Sequence, residues 1–96
     1  MSIVVPAYNE EEVLTEFHET VDKALSQLPF DLEIIYINDG STDATLDIIN
    51  GLRANDKRIT LIDLSRNFGK EIALSAGLHK AAGDAVVIID ADLQDP

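Results

Sequence analysis

Asp90-Ala91-Asp92, with Gln94 two residues further on, is the constellation in this chain whose oxygen atoms best suit a hard metal ion. It directly follows an apolar run. An extended backbone there points both carboxylates the same way, about 6.6 Å apart along the strand. A hard divalent cation takes one or two carboxylates and completes its shell with water and substrate phosphates. Such a site grips a diphosphate without a basic cage, and Gln94 adds a neutral oxygen. Taken alone, an Asp-x-Asp triplet is more often a turn and cap cluster than a metal site. Asp39, at the end of another apolar run, has the acceptor oxygens that a nucleobase imide or amino edge requires. It has a local alternative as an Asx turn ahead of Gly40 and a helix cap. Pro6 to Glu10 suits a base and ribose, with Tyr8 supplying a π face and Glu10 accepting from ribose hydroxyls. Glu10, Glu11 and Glu12 also suit the positive end of a helix dipole. Arg66 and Lys70 are the cations near these loops, either to meet a nucleotide or as surface charges near a helix start. His18 and His79 fall within expected helices with no second histidine at ligand spacing, so they are read as structural or solvated.

Positioning such residues takes strands that deliver them and helices that return the chain. Ser2 to Val5 is short, apolar and β-branched, and Pro6 is expected to end it. Asn9 and Glu12 have capping-box spacing, and Val13, Phe17, Val21, Ala24 and Leu28 recur at helical intervals, so a helix is expected over about Glu11 to Gln27. A second strand, Leu32 to Ile37, breaks at Asn38-Asp39-Gly40-Ser41-Thr42-Asp43, a string of turn and N-cap residues. Leu46, Ile49 and Leu52 mark one face of a second helix, and Ile59 to Leu64 reads as a third strand. After the loop Ser65 to Gly69, a third helix is expected from Lys70 to Ala82 with Gly83 as its C-terminal glycine, then a strand over Ala85 to Ile89. The βαβαβαβ order with short connections predicts a Rossmann-like α/β fold, a parallel sheet with flanking helices and every C-terminal strand end on one edge. Ligands of open α/β sheets bind outside that edge, and the polar loops Tyr8 to Glu10, Asn38 to Asp43, Arg66 to Lys70 and Asp90 to Asp95 all fall there.

Composition excludes several functions. Eighteen acidic residues against seven basic ones, a formal charge of -11, repel phosphate backbones, so nucleic acid is not an expected partner. The chain has no cysteine, hence no disulfide framework, thiolate metal site or cysteine nucleophile, which suits the cytoplasm. No apolar run approaches the ~20 residues of a membrane helix. No GxGxxG follows the first strand and no GxxxxGK[ST] occurs, which disfavours dinucleotide dehydrogenases and P-loop ATPases. A receiver-type signalling domain needs an acidic pair after the first strand and an aspartate after the third, where this chain has Tyr8-Asn9 and Ser65-Arg66. A non-catalytic module using acidic loops for a metal or protein partner is the alternative from another class.

Four segments, VVPAYNEE, INDGSTD, LSRNFGKEIALSAGL and AGDAVVIIDADLQDP, together resemble the family 2 glycosyltransferases in order and spacing from Ser2 to Pro96. SRNFGKE with DADLQDP is most similar to the polyprenyl-phosphate branch, the bactoprenol glucosyltransferases and dolichol-phosphate mannose synthases. The resemblance implies the nucleotide-binding half of a GT-A fold, truncated after the DxD motif. Pro6, Ala7, Tyr8, Glu10 and Asp39 would line the nucleoside pocket, with Arg66 where some members contact the base. Asp90, Asp92 and Gln94 would hold Mg²⁺ or Mn²⁺, Asp90 and Ala91 would lie against the nucleotide, and Asp92 is the residue assigned to catalysis. The expected reaction is inverting transfer of a hexose from a nucleoside diphosphate sugar, of UDP-glucose type, to a membrane polyprenyl phosphate. The acceptor would bind through a C-terminal half absent from these 96 residues. The full-length protein is expected at the cytoplasmic face of the membrane, and homo-oligomerisation stays open.

Overall fold

The computed structural model describes residues 1–29 and 31–91. Its elements are β1 (Ser2–Ala7), α1 (Leu14–Leu25), β2 (Glu33–Asp39), α2 (Thr45–Asn55), β3 (Ile59–Leu64), α3 (Lys70–Lys80) and β4 (Val86–Ile88). All strand pairings are parallel, in the spatial order β3-β2-β1-β4. The chain therefore steps outward from β1 to β3, then crosses back over the sheet to place β4 on the other side of β1. That reversal makes the gap beyond the C-terminal ends of β1 and β4 the switch point at which open sheets bind ligands.

Alternation along the strands divides the core. Ile3, Val5, Ile34 and Tyr36 face one way and pack with Leu14, Phe17 and Val21 of α1 and Ile49 of α2. Val4, Ile35 and Ile37 face the other way, against Ala73 of α3. Both faces of β1 and β2 are covered, which explains their continuous apolar runs. β4 is different: Val86, Val87 and Ile88 are 41%, 39% and 48% exposed. The apolar run of β4 thus forms the least buried strand: β3 is an edge strand too, but helices α2 and α3 pack on it, whereas β4 packs chiefly on β1 among the described residues.

Several boundaries differ from expectation: β2 runs Glu33–Asp39, through the expected break at Asn38, α1 stops at Leu25 and β4 spans only Val86–Ile88. Three further differences have identifiable physical reasons. β1 continues through Pro6 to Ala7. Ser2 and Val4 direct their backbone groups toward β4, through Ser2 N–H to Ala85 and Ile89 N–H to Val4. By the same alternation Pro6 faces that side beyond the end of β4, where its missing N–H breaks no ladder bond. α1 begins at Leu14 rather than Glu11 because Asn9 does not cap it. The Asn9 backbone is left-handed, φ 53°, and its side-chain oxygen accepts from Thr42 N–H at 2.8 Å. α3 ends at Lys80, with Ala81 already extended. Gly83 serves elsewhere: its N–H donates to Ser2 Oγ at 2.9 Å, and a Cβ there would stand 2.7 Å from the Ser2 nitrogen.

Candidate functional site

The β1–α1 loop is held by the β2–α2 loop rather than by its own helix. Asn9 N–H donates to Ser41 Oγ at 3.0 Å, Glu10 N–H to Thr45 Oγ1 at 2.8 Å, and Glu11 N–H to Asp43 Oδ2 at 3.3 Å. Amides that begin a helix lack intrahelical partners, and here the neighbouring loop supplies them. Asp43 also accepts from Thr45 N–H at 2.9 Å. Desolvation pushes its carboxyl upward, but the bonds from Thr45 and Glu11 outweigh that and hold it below the usual carboxylate range. Tyr8, 44% exposed, and Glu10 thus sit on a loop braced from the side.

Asp39 is buried at the end of β2. Its carboxylate turns away from α2, which has no side-chain cap, and from its own loop. Its Oδ1 accepts from Phe68 N–H at 2.9 Å and its Oδ2 from Gly69 N–H at 3.1 Å, anchoring the turn that starts α3. Each oxygen keeps a second lone pair. Gly40, at φ 67°, lets the two loops meet, since a Cβ there would overlap the backbone of Arg66 and Asn67.

A cavity of about 420 Å³ opens at the switch point. Pro6, Ala7, Tyr8 and Glu10 line it from β1 and its loop, Asp39 from β2, and Asp90 and Ala91 from the segment after β4. Seven of the eight residues expected at a nucleotide are thereby brought round one space. Arg66 stands outside the lining, its guanidinium carbon 4.9 Å from the centroid of the Phe68 ring. Asn67, Gly69 and Lys70 line the cavity in its place. Lys70 had a sequence signal, as a cation on this edge; Asn67 and Gly69 had none. Lys70 Nζ lies 2.7 Å from Asp90 Oδ1, both side chains more than half exposed. Asp92 and Gln94 lie outside the described residues, and no group of three or more His, Cys, Asp or Glu residues placed to hold a metal occurs among the described ones. The donor that is described, the Asp90 carboxylate, has the hard-oxygen chemistry of a Mg²⁺ or Mn²⁺ ligand and opens onto the cavity. That carboxylate is one ligand of the kind such an ion takes, and it is paired with Lys70.

The sequence profile described as glycosyl transferase family 2 matches residues 2–96. The chain belongs to glycosyl transferase family 2. It is 52% identical over all 96 residues to the bactoprenol glucosyl transferase of Shigella phage SfV, covering 31% of that protein. Among solved structures, the chain superposes with TM-score 0.81 on S. aureus TarS 1-349 in complex with UDP-GlcNAc, at 29% identity over 95% of this chain and 26% of that one. It also matches the mannosyltransferase PcManGT from Pyrobaculum calidifontis in complex with GDP-Man and Mn²⁺, with TM-score 0.81 and 28% identity over 95% of this chain and 27% of that one. The fold is that of the GT-A glycosyltransferases. The chain spans about a third of the length of the curated relatives it matches. No helix among the described residues is long and apolar enough to cross a membrane.

Proposed function

We propose that this chain is the donor-binding part of an inverting hexosyltransferase that uses a nucleoside diphosphate sugar, of UDP-glucose type, and a membrane polyprenyl phosphate as acceptor. The observation that carries this reading is the cavity of about 420 Å³ at the switch point, onto which acceptor oxygens open from the β1–α1 loop, β2 and the segment after β4. In this reading Pro6, Ala7 and Tyr8 flank the base, Asp39 accepts from its imide edge through its remaining lone pairs, and Glu10 accepts from the ribose. Asp90, with Asp92 and Gln94, holds Mg²⁺ or Mn²⁺. When bound, that ion stabilises charge developing on the leaving diphosphate. The acceptor's chemistry suits a site without a dedicated base: a phosphate monoester is already anionic near neutral pH, so its attack releases no hydroxyl proton. Its binding residues belong to the part of the protein beyond these 96 residues, at the cytoplasmic face of the membrane. The names of the phage relative and of the two structures support donor, metal and acceptor classes.

Thermal shift and calorimetry against UDP, GDP, UDP-glucose and GDP-mannose, each with Mn²⁺ or with EDTA, test the donor half. Stabilisation by a uridine nucleotide that disappears with EDTA is expected; equal affinity in EDTA refutes the metal. For the acceptor, membranes carrying the full-length gene product should transfer label from UDP-[¹⁴C]glucose into an organic-soluble, acid-labile fraction. Label confined to water-soluble glycans rejects the polyprenyl phosphate.

A further inference from the structure

Asp90 faces two claims on one carboxylate. Its Oδ1 is bonded to the Lys70 ammonium at 2.7 Å, and in the reading above the same carboxylate holds the divalent cation. A cation and an ammonium on one carboxylate repel each other, so each weakens the other's hold. Lys70 is the first residue of α3 and the one cation that lines the cavity among the described residues. The preceding amides, Phe68 and Gly69, are pinned by Asp39. The stem of Lys70 therefore pivots from a fixed point, while its exposed head can turn from Asp90 to a diphosphate in the same space.

We propose that Lys70 is a positioning residue that exchanges partners: it neutralises Asp90, cedes that carboxylate to the divalent ion, and turns to the diphosphate of the incoming nucleotide. Resting on the metal reading above, this makes the two ligands cooperative. The ion alone must displace an ammonium; with the nucleotide present, the displaced ammonium has a new anionic partner. Because coupling is reciprocal, each ligand strengthens the other by the same factor.

Mn²⁺ binding to the purified protein, read from the EPR signal of free Mn²⁺ without nucleotide and with saturating UDP, tests this in wild type, Lys70→Met, Lys70→Arg and Asp90→Asn. Lys70→Met should bind Mn²⁺ alone severalfold more tightly than wild type. It should also bind UDP more weakly, and the enhancement of Mn²⁺ binding by UDP should shrink on the order of tenfold. Lys70→Arg should retain the enhancement. Unchanged or weaker Mn²⁺ binding by Lys70→Met, with Asp90→Asn still losing the metal, overturns the exchange alone. Wild-type Mn²⁺ affinity in Asp90→Asn overturns the metal reading beneath it. Each variant's melting temperature checks that it is folded.

Discussion

Asp39 has a structural role that is separable from the base contact proposed for it. Its buried oxygens hold two amides of the turn before α3, and hydrogen bonds to charged groups contribute more than neutral ones. Asp39→Ala should therefore cost about 2 kcal/mol of stability, since two amides lose their acceptor. Asp39→Asn keeps one acceptor oxygen and should cost less. If the carboxylate also reads the base, both variants lose uridine-nucleotide affinity when assayed well below their melting temperatures. Urea denaturation paired with UDP titration separates the effects: lowered stability with wild-type affinity would make Asp39 purely structural. The residue types of this site were legible because each follows an apolar run at the same edge of a parallel sheet. Their partners were not. Asp39 meets amides 29 and 30 positions away, and Lys70 meets Asp90 across 20. Those pairings depend on how neighbouring loops pack, which local spacing does not encode.

Between elements, His18 joins α1 to the sheet and to the end of α2. Its Nε2 lies 3.1 Å from Asp56 Oδ2 and its Nδ1 2.7 Å from the Tyr36 hydroxyl. A carboxylate only accepts, so Nε2 carries the proton toward Asp56, and in the neutral ring Nδ1 accepts from Tyr36. Arg58 binds Asp56 through Nε at 2.9 Å and NH2 at 2.6 Å. Those bonds, with the Arg58 amide and His18, outweigh desolvation and hold the Asp56 carboxyl well below its ordinary range. Burial, then the Asp56 charge, pushes the Tyr36 hydroxyl up, keeping it a neutral donor. A depressed carboxyl stabilises the fold above its unfolded pKa of about 4, and that contribution is lost as pH falls toward the folded value. Denaturant midpoints should thus decline from about pH 4 downward, and Asp56→Asn should be less stable at pH 7 by about 2 kcal/mol yet flatter in acid. Parallel acid profiles for the two proteins would disprove a role for Asp56 in that decline. His18 at a helical position was readable only as structural or solvated, and its bonds to Tyr36 of β2 and to Asp56 at the end of α2 needed the packed fold.

On the scale of the whole molecule, the element order was legible because period-2 and period-3.6 patterns alternate cleanly, with turn residues between them. Which strand would be buried was not, because burial depends on spatial order: β1, first in the chain, stands inside the sheet, while β4 stands at its edge. That order has a consequence for the time course of folding. The Ser2 hydroxyl donates to Glu33 across 31 positions, but accepts from Gly83 across 81. Loop closure costs more for the longer span, and non-local strand pairs form slowly. β1 with β2 and β3 should therefore form the early nucleus, leaving the β1–β4 seam to zip last. Gly83→Ala, whose methyl would meet the Ser2 nitrogen at 2.7 Å, should destabilise by about 1–3 kcal/mol. Because that seam is absent from the transition state, nearly all of the loss should appear as faster unfolding in stopped-flow chevrons, with the refolding arm unmoved. A slowed refolding arm would instead put β4 in the nucleus.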